Sequence, residues 1–164
     1  MSRDAVVEDR MERMTEPDAG PPLNRMIATV LALIGVLIST YMLLYHFGVI
    51  GSIVCGTGGC QTVQNSPWAK FMGVPVPLIG LLGYGAFFVT ALLGTRPGAA
   101  ADRRIAAVLI AGAVIGAAFT VYLTYLEMYV INAWCRWCIG SAIVAGLLLV
   151  AVIPELARLR RSTP

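Results

Sequence analysis

The stretch Trp134-Cys135-Arg136-Trp137-Cys138-Ile139-Gly140-Ser141, with the apolar run that follows it to Ile153, decides how the rest of the chain is read. Two thiols three residues apart stand where a segment of membrane-crossing length begins. In a helix, Cys135 and Cys138 would share one face of the first turn. The partial positive charge of a helix N-terminus favours thiolate over thiol, and thiolate is the reactive form. A pair so placed, at the edge of a membrane, is suited to cycle between dithiol and disulfide.

Composition supports a membrane setting for that run. Of 164 residues, 58% are hydrophobic and only 13% charged, and the mean hydropathy is +0.78. Soluble domains carry about 25% charged residues, so the chain falls in the membrane class. Three further apolar runs, Met26–Phe47, Pro75–Leu93 and Ile105–Ile131, are each close to or above the roughly 20 residues a crossing helix needs. The expected fold is all-α: an integral membrane four-helix bundle. Gly112 and Gly116 form a small-xxx-small pair in the third run, read as packing inside the bundle.

The segments around the crossings are polar. Residues 1–24 are rich in charge and proline and poor in apolar side chains, which predicts a disordered tail. Their acidic content, and the length of the run that follows, do not fit a signal peptide. Residues 156–164 form a short basic tail after a membrane domain spanning 25–155. The loop 48–74 is the longest between apolar runs. Within it, Ser66 reads as an N-cap, Pro67 as a first helical residue and Gly73 as a stop. This predicts a short interfacial helix with Trp68, Phe71 and Met72 on one face. His46, beside Tyr41 and Tyr45, reads either as an interfacial residue or as a proton relay. Glu127, a carboxylate in the third run, is either functional or a solvated rim group.

Basic residues set the orientation. The N-terminal segment through Arg25, the 94–104 connector and the C-terminus hold ten of the twelve, and the opposite side holds Lys70 and Arg136. Both termini and the connector are therefore expected in the cytoplasm, with all four cysteines on the outer, oxidising side. The net charge of +3 lies beside the apolar runs, where topology places it, and points to no nucleic-acid partner.

The cysteines come in two close pairs, Cys55 with Cys60 and Cys135 with Cys138. Three uses stay open: redox exchange, structural staples, or a four-thiolate zinc site. The first pair is closed by the glycine-rich residues 56–59, and four intervening residues permit a bridge. A bridge within CxxC closes a short loop and removes little chain entropy, which favours redox use with no metal. No CxxCH and no glycine-rich phosphate loop is present, so neither haem nor nucleotide is indicated. Two dithiols on one side of a bundle can pass a disulfide between them, and a quinone is the obvious lipid-soluble acceptor of two electrons. The competing reading is a non-enzymatic membrane scaffold with structural disulfides in its outer loops.

The ordered set of a loop cysteine pair, Asn65-Ser66-Pro67 before the second crossing, and CxxC opening the fourth resembles the bacterial homologues of vitamin K epoxide reductase over about residues 25–155. The unrelated DsbB type of quinone reductase has its CxxC in the first outer loop, the reverse order. The resemblance implies a multi-pass protein of the bacterial inner membrane. It would reoxidise a periplasmic DsbA-like thioredoxin-fold protein and give two electrons to a quinone, menaquinone or ubiquinone, as substrate. It also implies catalytic roles for four cysteines. Cys55 would meet the partner, Cys60 would exchange with Cys135, and Cys138 would face the quinone. Ser66 matches the residue that hydrogen-bonds a quinone oxygen. Arg136, inside CxxC, is expected to favour thiolate. Position 142 is alanine where the animal enzymes carry a quinone-binding tyrosine, so vitamin K epoxide is not carried over as substrate. Only about ten residues follow the last crossing, without a fused thioredoxin domain, so the thiol partner is expected to be a separate protein.

Overall fold

The computed structural model describes residues 23–56, 59–96, 98–99 and 102–161. The tail expected at 1–24 lies outside them except for Leu23 and Asn24, which already belong to the first helix. Residues 57 and 58 of the glycine-rich loop, and 162–164, lie outside them as well.

Among the described residues, four helices are long and apolar enough to cross a membrane. The first, α1 (Leu23–His46), buries Arg25, Ala28, Ala32, Gly35, Ser39 and Met42. That spacing alternates three and four residues, the seam of a packed helix pair. Its members after Arg25 are mostly small, so the backbone of a neighbour comes close. The neighbour is α3 (Val76–Leu93), the most extensive helix pairing in the fold. A side chain at Gly35 would strike the Tyr84 ring, and one at Gly80 would lie 2.8 Å from Ser39 Oγ. The Tyr84 hydroxyl donates to the Ser141 carbonyl at 2.9 Å and so ties α3 to α5 (Arg136–Ala151). Helix α4 (Arg103–Leu126) starts on Asp102, whose carboxylate accepts the Arg104 N–H. It packs well on α5 but only sparsely on α3. Ala28, Ala32, Phe87, Ala91, Leu109, Ala113, Val144 and Leu148 form the shared core.

The helix after Ala151 does not stop where the apolar run stops. After a turn at Val152 it resumes as α6 (Ile153–Arg161), which brings Glu155 inside. Arg25 and Glu155 are both wholly buried and meet as a two-pronged pair, Nε–Oε1 at 2.9 Å and Nη2–Oε2 at 2.8 Å. Arg25 Nη1 also donates to the carbonyls of Gly94 and Ala99, and Asn24 Nδ2 donates to Glu155 Oε1. The sequence assigned Arg25 to the basic flank. It lies instead within the bundle, holding α1, the α3–α4 connector and α6 together.

The loop after α1 departs from the helix expected at 66–73. It holds a short helix α2 (Gly59–Gln64), one 3-10 turn (Pro67–Ala69), and a hairpin of β1 (Lys70–Phe71) with β2 (Val74–Pro75). Met72 and Gly73 both have positive φ, at 51° and 86°, as a two-residue hairpin turn requires. Gly73 is thus a hairpin residue and not a helix stop. Pro67 does stand at the first position after Ser66, but the Ser66 hydroxyl donates back to the Val63 carbonyl at 2.7 Å and caps nothing. The hairpin brings Phe71 edge-on to Phe119 and Tyr122 of α4.

Candidate redox site

All four cysteines gather at one end of the bundle. Cys55, Cys60 and Cys135 are buried in one cluster with Met42, Ile53 and Val63, and Cys138 packs against it. Cys55 and Cys60 are joined as a disulfide, with Cα atoms 5.9 Å apart, and Cys135 and Cys138 are free thiols. With the first pair bonded to itself, the four cysteines do not form a zinc site in this state.

Close approach of the two pairs depends on Gly59. A Cβ there would collide with the Trp134 carbonyl oxygen and lie 3.0 Å from its carbon. The absence of a side chain lets α2 rest its first turn on the backbone that leads into Cys135. The loop is clamped from the other side by the CxxC motif itself. Trp137 Nε1 donates to the Val54 carbonyl at 3.0 Å, and the Val54 N–H donates to the Tyr41 hydroxyl at 3.1 Å. The rings of Tyr41 and Trp137 pack with centroids 4.6 Å apart. Val54 is therefore fastened on both its polar groups, one residue before Cys55.

Cys135 is the N-cap of α5, and its sulfur accepts the Cys138 N–H at 3.3 Å. The Cys138 thiol also donates to it, and together these bonds hold the Cys135 thiol below the ordinary cysteine range despite its burial. Arg136 is exposed, and its guanidinium lies beside Gly56 of the loop.

The third crossing ends in a π turn, Glu127–Ile131, closed by Asn132 in the left-handed region at φ 54°. Wider turns of this kind recur at functional sites. Here the turn brings Glu127 inward, only 6% exposed. Its Oε2 accepts the Cys135 N–H at 3.3 Å, and its carboxylate also faces the Cys138 thiol. The carboxylate and the two sulfurs lie within 4.8 Å of one another. Glu127 is therefore not the solvated rim group that was one of its two readings.

A cavity of about 520 Å³ runs from this cluster down between the helices, within the range of sites for small organic ligands. Its wall is mostly apolar and includes Phe87, Leu109 and Phe119, and its polar end carries Cys138, Glu127 and Gln64. Cys135 is outside that wall. Gln64 is 7% exposed, and its side-chain oxygen has no hydrogen-bond partner. Ser66 does not line the cavity. Gly112 and Gly116 do, with Gly112 against Phe87. His46 packs edge-on to Phe47 at the end of α1. Sequence reasoning did not single out Gln64, since a glutamine in a polar loop has no pattern to mark it.

A loop disulfide resting on a CxxC pair, at one end of a four-helix membrane bundle, defines a membrane thiol–disulfide oxidoreductase. Residues 26–153 match the model of the Vitamin K epoxide reductase family, and the chain belongs to that family.

Proposed function

We propose that this protein is a disulfide-forming quinone reductase. It reoxidises a periplasmic, DsbA-like thioredoxin-fold protein, passes two electrons to a membrane quinone, and so supports disulfide formation in exported proteins. The observation that carries this reading is the order of the sulfurs. The loop disulfide leads to buried Cys135, and its neighbour Cys138 stands in the wall of an apolar cavity.

The steps follow that order. A partner thiolate attacks Cys55, forming a mixed disulfide and releasing the Cys60 thiolate. When Cys135 and Cys138 are bonded to each other, Cys60 attacks Cys135 and Cys138 leaves as thiolate. Cys55 then resolves the Cys60–Cys135 bond and regains a disulfide only after the partner has departed oxidised. The reduced Cys135/Cys138 pair gives two electrons to the quinone and closes again as a disulfide. Menaquinone and ubiquinone both suit the cavity by chemistry: a ring at its polar end and an isoprenoid tail along its apolar length. We assign to Gln64 the contact with the reduced ring: its side-chain oxygen, unpaired at the cavity wall, would accept the O–H of the hydroquinone, with Ser66 holding the Gln64 turn through Val63.

The redox domain is taken as residues 25–155, flanked by cytoplasmic tails at 1–24 and 156–164. Basic residues at the Arg25 end put that end in the cytoplasm of a bacterial inner membrane and the cysteines outside. The deciding experiment uses purified protein in detergent, a reduced DsbA-type partner and a soluble quinone analogue. Catalytic oxidation of the partner, coupled one-to-one to quinone loss, is expected. A protein that binds neither and turns over nothing is a scaffold with stapled loops.

A further inference from the structure

We propose that Glu127 is a catalytic proton acceptor for Cys138, a role that rests on the quinone reading. The Cys138 thiol has one proton and two acceptors close by, the Cys135 sulfur and the Glu127 carboxylate, the three groups lying within 4.8 Å of one another. A thiol proton serves one acceptor at a time, so a change of partner is built into the cluster. Glu127 also lines the cavity beside Cys138, where a quinone oxygen would arrive. A buried carboxylate is costly unless hydrogen-bonded. Among the described residues, Glu127 takes its hydrogen bond from the Cys135 N–H and forms no ion pair with a cationic side chain. The short helix α2 packed against the π turn contributes no titrating group beyond the disulfide-bonded Cys60. A purely structural acceptor for the Cys135 N–H could be an amide. The thiol contact gives the carboxylate its use.

The step balances as follows. Cys135 and Cys138 lose two electrons and two protons as their sulfur–sulfur bond forms, and the quinone gains two of each and leaves as hydroquinone. The Cys138 proton passes to Glu127, which frees the thiolate, and then from Glu127 to the near quinone oxygen. The Cys135 proton goes to water at the outer face, and the far quinone oxygen takes one from water. Glu127 ends as the carboxylate it began as.

The test compares wild type with E127Q and E127D in the full chain. Gln keeps an acceptor for the Cys135 N–H and removes the base; Asp keeps the base on a shorter arm. Alkylation of Cys138 by a small maleimide needs no quinone, and cleavage after Arg136 puts the two cysteines on separate peptides for mass spectrometry. In E127Q, single-turnover quinone reduction should fall roughly 10²-fold at neutral pH, while Cys138 alkylation, which needs only thiolate, should not fall, since the lost negative charge no longer opposes it. Both rates should then rise about tenfold per pH unit as hydroxide supplies the thiolate, while E127D stays close to the flatter wild-type profile. E127Q matching wild type in quinone-reduction rate and in the pH profile of alkylation, or slowed equally at every pH, overturns the inference. Failure of wild type to reduce any quinone defeats the quinone reading instead, and the pH profile of alkylation still decides whether Glu127 takes the proton.

Discussion

Replacing Gly59 with alanine should separate the two halves of the relay while leaving each half intact. The Cβ would lie 3.0 Å from the Trp134 carbonyl carbon and 3.1 Å from its nitrogen, with the oxygen nearer still. Carbon contacts settle at about 3.5–4.0 Å, and the obstacle is backbone, which cannot rotate away. Helix α2 must then withdraw by roughly 0.5–1 Å, taking Cys60 from Cys135. A displacement near 1 Å costs about 10²-fold in a reaction that depends on alignment. Rapid mixing with acid quench and alkylation follows the three steps separately. Disulfide transfer between the pairs should slow by about 30- to 100-fold. Exchange of Cys55–Cys60 with a reduced partner should hold within a few-fold, as should oxidation of pre-reduced Cys135/Cys138 by quinone. Wild-type transfer in G59A, or equal slowing of all three steps, would refute the claim that this contact aligns the sulfurs.

Other outcomes follow from the same coordinates. Q64L removes a buried oxygen with no partner. It should raise thermal stability by about 1–3 kcal/mol and weaken inhibition by added hydroquinone severalfold, and a destabilised variant with unchanged product inhibition contradicts the assignment. E155Q removes the charge that meets the wholly buried Arg25 in a two-pronged pair. It should cost about 3–5 kcal/mol in reversible unfolding, and a loss below about 1 kcal/mol, the scale of an exposed pair, counts against the clamp. The Cys135 thiol is held low by bonds from Cys138, so its thiolate persists as pH falls below the usual cysteine value of about 8.5. In C138A the donor thiol is gone, and the thiolate absorbance should titrate at higher pH. An unchanged titration removes Cys138 as the cause.

The bundle was legible because crossing a membrane constrains sequence strongly. Each span must satisfy its backbone internally and present apolar side chains for some twenty residues, so composition and run length alone mark it. CxxC was legible for the same reason: its chemistry is local, two sulfurs on one turn. The loop was not. Ser66-Pro67 and Gly73 carry the marks of a helix start and stop, yet Met72-Gly73 took the left-handed turn of a hairpin, with Phe71 of that hairpin packed on Phe119 and Tyr122. Local signals there are weak, and contacts with a distant helix decide.

The sequence by itself determined the membrane class, the four crossings, the two cysteine pairs and the resemblance to a family of redox proteins, all properties of short windows or of their order. Only the tertiary structure decided which polar groups are inside. Arg25 and Glu155, at opposite ends of the chain, are neighbours, and Glu127 turns inward on a π turn to meet both thiols. Gln64, rather than Ser66, lines the cavity. Burial and partnership depend on residues far apart in sequence, and no periodicity within one segment encodes them.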